Sequence, residues 1–151
     1  VLQALDAFAA ISAPTLGALA PALPAGLRDG PAQRRSWMRD DLMRLGRVPT
    51  PSDRTRAPAA ADLDPALGAW YVHEGAALGG LLIAAEVRRR LPQAAAATSF
   101  FTGEGRATAA RWRAVQAVLD GWEPSDRGER VVAGARATFA ALTARLAEVV
   151  S

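Results

Sequence analysis

Cysteine is absent from the 151 residues, which excludes disulfide frameworks, thiolate metal sites, iron–sulfur clusters and cysteine nucleophiles. Histidine and tyrosine occur once each, as His73 and Tyr71. One imidazole cannot assemble a His-rich zinc or iron site, so no protein-built metal centre is expected. A Ser–His–Asp arrangement would have to use His73. Lysine is missing too: all 18 basic residues are arginine, against 15 acids, for a formal net charge of +3. The pI of 10.8 therefore reflects arginine chemistry more than a large charge excess. Residues 1–75 are balanced, and the surplus lies in 76–151, where a modest positive patch would suit an anionic ligand. Arg88, Arg89 and Arg90 form the only basic run, and no groove-reading motif accompanies it, so no nucleic-acid partner is expected.

Isoleucine occurs only at positions 11 and 83, while 36 residues are alanine. Few β-branched residues and abundant alanine favour helix over sheet, so the fold class is all-α. At 15.8 kDa the chain suffices for one domain with a real core. Its start has neither a basic n-region nor a clean apolar h-region, so no signal peptide is expected and the location is read as cytoplasmic.

Leu2, Leu5, Phe8 and Ile11, then Leu16, Leu19 and Leu23, have helical spacing, interrupted at Pro14. A second helix fits 31–45, with Asp29 or Gly30 near its cap, Met38, Leu42 and Leu45 inward, and Gly46 as its stop. Residues 47–63, rich in proline and mixed charge, read as a long loop. Asp64 and Pro65 then begin a helix that can run to Leu91, roughly 40 Å long at the α-helical rise. Another helix fits 106–120 with Trp112, Val115 and Leu119. The last, 125–149, carries the stripe Val132, Ala135, Phe139, Leu142, Leu146 and Val149.

The long helix, ALGAWYVHEGAALGGLLIAAEVRRRL, is the informative one. His73 and Glu74 within it argue against a membrane span. Gly75, Gly79 and Gly80 each cost about 1 kcal/mol relative to alanine in a helix. In a chain that otherwise uses alanine freely, they imply that Cβ atoms are unwelcome there. Close helix packing and a flat ligand against the backbone both explain that, and the spacing alone leaves the two open.

The segment 67–80, LGAWYVHEGAALGG, resembles the distal-helix motif of the bacterial biliverdin-forming haem oxygenases, and specifically the bacteriophytochrome-associated branch, through Leu67, Gly68, Tyr71, Val72, Glu74, Gly75, Leu78, Gly79 and Gly80. RRSWMRDDLMRLG (34–46) is similar to a second segment of that branch, through Arg34, Arg35, Asp41, Leu42, Leu45 and Gly46. Phe100, Phe101, Gly105 and Trp112, followed by GARATFAAL (134–142), are similar to its later patterns, so the resemblance runs in order over nearly the whole chain.

The resemblance implies a haem oxygenase-like multi-helical bundle over 1–151, cleaving haem oxidatively to biliverdin, ferrous iron and carbon monoxide. Haem would be substrate and cofactor, with an electron-donor protein or small reductant as partner and a bacteriophytochrome pathway as a consumer of the product. Gly79 and Gly80 would take the distal catalytic role. Gly75, Gly79, Gly80 and Phe101 would line the haem, with Arg111, Arg113 or Arg136 meeting its propionates. Glu74 would pair with an arginine of another helix, Tyr71 would pack, and Trp112 and Phe139 would be core. In the family a His on a preceding helix ligates the iron, and this chain has no His before position 73. The Val start favours an N-terminally incomplete domain; the other expectation is a non-catalytic haem-binding or regulatory module that has lost the ligand. His73 lies roughly 10 Å along the helix axis from Gly80, so an ordinary hydrogen-bonded role is expected for it.

Overall fold

The computed structural model describes residues 1–51, 62–122 and 126–150, with backbone alone at Asp126, Val149 and Val150. Seven α-helices and five short 3₁₀ turns, with no strand, make up the described residues. The all-α reading holds. The helices are α1 (Leu2–Leu19), α2 (Gly30–Arg44), α3 (Leu63–Gly75), α4 (Gly80–Arg90), α5 (Ser99–Thr102), α6 (Thr108–Asp120) and α7 (Asp126–Val150). Of the expected loop 47–63, residues 52–61 lie outside the described residues.

Helix α1 does not break at Pro14, contrary to the sequence expectation. Phe8 and Ala10 before the proline and Leu16 and Leu19 after it are all buried, so continuing the helix secures packing on both sides at the cost of one backbone hydrogen bond. Leu2–Ala22 is long and apolar enough to cross a membrane by length and composition alone, with a third of that span buried. Helix α2 ends at Gly46, whose φ of +67° lets Gly46 N–H bond Met43 C=O and Arg47 N–H bond Leu42 C=O. Met38 and Leu42 face inward, but Leu45 sits in this turn and is exposed.

The core gathers Leu16, Leu19, Leu23, Leu27, Leu67, Trp70 and Val115, with Trp70, Leu19, Leu67 and Val115 wholly out of solvent. Helix α3 runs through its middle and crosses α7 with backbones nearly touching. A Cβ on Gly68 would lie 2.0 Å from the Val131 carbonyl oxygen, and one on Gly134 would lie 2.3 Å from that of Pro65. Both positions must therefore be glycine. Thr138 hydroxyl donates to Gly134 C=O at 2.7 Å, so Gly134 and Thr138 of GARATF serve this crossing. The stripe expected on α7 is correspondingly rotated: Val132 and Phe139 are about half exposed, and the packed face carries Val131, Gly134, Ala135 and Thr138.

The single helix expected from Asp64 to Leu91 is two, joined by a 3₁₀ turn at Ala76–Gly79. Its N-cap is Asp62, whose carboxylate accepts the Asp64 N–H at 3.2 Å. Asp64 is instead buried and accepts from Trp122 Nε1, Arg127 and Arg130, tying α3 to the start of α7. Burial raises its carboxyl pKa, but those hydrogen bonds, Arg130 foremost, outweigh burial and hold it below the ordinary value.

Candidate functional site

Two sides of α3 and the following turn have different chemistry. One side is polar and closed. Glu74, almost fully buried, accepts from Arg111 Nε at 2.8 Å and Nη2 at 2.9 Å, and from Arg34 Nη2 at 3.1 Å. Arg34 also donates to the His73 carbonyl, and Arg111 to the carbonyls of Gly26 and Leu27. One carboxylate thus joins α2, α3, α6 and the turn before α2, as expected of Glu74. Arg111, a propionate candidate from sequence, is committed to this frame. Its guanidinium pKa is raised, chiefly by the Glu74 hydrogen bond, whereas burial lowers that of Arg34.

His73 lies on this side as well. Its ring stacks on Phe8 of α1, with centroids 4.9 Å apart and planes 9° from parallel. Burial, seconded by the Arg34 charge and opposed by Glu74, pushes its pKa down to about 4, so the ring is neutral near pH 7.

The other side is apolar and open. Tyr71, Gly75, Gly79 and Leu82 follow one another at spacings of three and four. Tyr71 tilts against Trp112 at 5.5 Å, and the same Trp112 ring lies 3.5 Å from where a Gly75 Cβ would be. Apart from its own chain neighbours and helical turn, no described atom lies within 4 Å of a Cβ built on Gly79. Leu78 and Leu82, beside it, are 48% and 77% exposed, an unusual state for two leucines on one short helical stretch. Next to Tyr71, a groove of about 380 Å³ is lined by Leu119, Val131, Val132, Ala135, Arg136 and Phe139. Arg136 thus reaches an apolar groove, and Phe139 lines it rather than the core.

Gly80 differs from Gly79. A Cβ there would meet the Phe101 carbonyl oxygen at 2.2 Å, so Gly80 seats the α5 segment. That segment is held from below by the buried Asp41, which accepts Phe100 N–H at 2.8 Å, and from the side by Arg88, which donates to Thr98 and Thr102. Phe101 is half-buried, its ring edge-on to Phe100 at 5.2 Å. Arg113 is exposed on α6. The sequence-predicted residues therefore separate into an open group (Gly79, Arg136), a packed group (Gly75, Gly80, Phe101) and a structural cation (Arg111). Sequence reasoning missed Asp64 as a buried hub; a carboxylate two residues past an N-cap and facing the core was its only signal. No cluster of three or more potential metal ligands occurs among the described residues.

Among curated proteins, one from Xanthomonas campestris pv. campestris (strain 8004), named heme oxygenase, is 38% identical over 104 residues. The chain is similar to a haem oxygenase. The matched stretch is 68% of the chain and 61% of that relative, so the chain spans about three fifths of the protein it matches. No family model matches the chain, and no solved structure does. The described residues, all-helical with no strand, are consistent with the haem oxygenase fold.

Proposed function

We propose that the chain is a haem oxygenase domain, of the bacteriophytochrome-associated branch by its motifs, and that the Gly75–Gly79 side of α3 and the following turn is its haem face. The observation that carries this reading is Gly79: no neighbouring atom explains a missing side chain there, and the leucines beside it stand in solvent. A flat apolar substrate against the backbone accounts for both. The activity proposed is oxidative opening of haem to biliverdin with release of ferrous iron and carbon monoxide, driven by an external electron-donor protein or small reductant.

The residues present fit the ring and its acidic edge. Tyr71, Leu78, Leu82, Val132 and Phe139 supply apolar surface, Gly79 supplies room, and Arg136 supplies a cation for a propionate carboxylate. Gly80 and Phe101 fix the loop at the edge of this face, and Arg111 acts through Glu74 by holding the α3 backbone in place. An axial imidazole is not supplied by the described residues, because the ring of His73 stacks on Phe8 on the other side of α3.

That last observation favours a second reading, a haem-binding or regulatory module that does not turn haem over. Haemin titration followed by reductant and oxygen in the same cuvette separates the two. A saturable Soret band that decays to biliverdin absorption is expected of the oxygenase, and a stable Soret band of the non-catalytic module. No specific Soret change would overturn both.

A further inference from the structure

The α5 segment, Ser99–Thr102, is a single helical turn, too short to hold its own place by backbone hydrogen bonds. Side chains of two other elements set its position. From α2, Asp41, wholly buried, accepts the Phe100 N–H on Oδ2 at 2.8 Å and Arg44 Nη1 on Oδ1 at 3.0 Å. From α4, Arg88 Nη2 donates to Thr98 Oγ1 at 2.8 Å and to Thr102 Oγ1 at 2.7 Å. A buried carboxylate costs free energy unless its oxygens are paired, and one of the two partners here is a main-chain N–H 59 residues away. What that bond places is the next residue. The Phe101 carbonyl oxygen lies 2.2 Å from where a Gly80 Cβ would be, beside the open Gly79.

The two ends of the open face are therefore unlike. At the Tyr71 end, Arg136 lies in the groove with Phe139. At the other end, about 15 Å along the axis by α-helical and 3₁₀ rises, stands the α5 segment, SFFT, which carries two aromatic rings and no charged side chain. A haem with its propionates toward Arg136 turns its opposite edge, which carries the vinyl groups, toward α5. We propose that the α5 segment is the stop this apolar edge meets, and that Asp41 is the positioning residue that fixes the stop and makes the site selective for the substituents on that edge. The assignment rests on the haem face proposed above and adds the specificity of that face.

The test compares haemin with deuterohaemin, which has hydrogen in place of both vinyl groups, in Soret titrations of the full chain, alongside amide hydrogen exchange of the haem-free protein. A fixed stop leaves a gap against the smaller ring, so the wild type is expected to bind deuterohaemin at least tenfold more weakly than haemin. Asp41→Leu removes the acceptor; it is expected to speed exchange of the Phe100 N–H at least tenfold and to bring the two affinities within about threefold of each other. Asp41→Asn keeps one acceptor oxygen and is expected to restore both the protection and the preference. Arg88→Met, at an exposed position, loosens the second anchor and is expected to lower the preference with the fold intact, which covers the case of an Asp41→Leu chain that does not fold. Haemin binding without a preference in the wild type, or with a preference that persists unchanged in Arg88→Met and in folded Asp41→Leu, would overturn the role of Asp41 and leave the haem face standing. No specific Soret change in the wild type would overturn the haem face and the stop with it.

Discussion

Among single residues, the buried ionisable groups carry the sharpest consequences. Replacing Glu74 with Gln leaves the Arg34 and Arg111 guanidinium groups in a poorly solvated site without their counter-charge. Breaking a buried pair from one side costs about 3–5 kcal/mol, so E74Q is expected to lower the urea midpoint by that equivalent without changing the all-helical circular dichroism of the folded state. His73 acts through linkage. Its pKa is about 4 when folded, against 6.5 for the free side chain, so the unfolded chain binds the proton first. Stability from this group is complete above pH 6.5 and falls as pH drops through the window from 6.5 to 4, by about 3 kcal/mol in all. The measurement is urea unfolding of the wild type and His73→Phe across that window; the wild type should lose more stability on acidification than the variant. The neighbouring glycines make a paired test. Ala at Gly80 meets a backbone carbonyl and is expected to cost about 3 kcal/mol. At Gly79 it meets nothing and the backbone is right-handed, so Gly79→Ala should be neutral or stabilising by up to about 1 kcal/mol in thermal unfolding.

At the level of elements, the α3–α7 crossing organises the bundle. It depends on Gly68 and Gly134 facing each other's backbones, so Gly134→Ala forces the helices apart and is expected to cost about 3 kcal/mol by denaturant unfolding. Much of the element order was legible from periodicity and punctuation: α2 from Gly30 and Gly46, α6 from Trp112, Val115 and Leu119, α7 from its sustained stripe. The misreadings have physical causes. By local rules Pro14 reads as a breaker, because those rules cannot see that both flanks are buried against other elements. The join at Ala76–Gly79 reads as continuous helix because 3₁₀ and α-helix share nearly the same apolar spacing over four residues. Val132 and Phe139 belong to the expected stripe because hydrophobicity alone marks it, whereas the glycine at 134 sets which side can approach α3.

Across the whole molecule, charge and apolar surface are sorted to different sides of α3. Polar residues of α2, α3 and α6 converge on Glu74, and the aromatic and aliphatic groups around Tyr71 and Gly79 are left facing out. Sequence pointed to Gly75, Gly79 and Gly80 as one group, yet only three-dimensional contacts divide them into packing against Trp112, an open position and a seat for Phe101. Arg111 and Arg136 were equivalent as cations in the sequence; the structure gives the first to Glu74 and the second to the groove beside Phe139. The open side is the central claim, and haemin titration of the wild type, Gly79→Leu and His73→Phe tests it most directly. Saturable Soret binding in the wild type and His73→Phe, with at least a tenfold loss in a thermally stable Gly79→Leu, is the predicted result. Equal haemin affinity in the wild type and Gly79→Leu, or loss of binding only in His73→Phe, would contradict it.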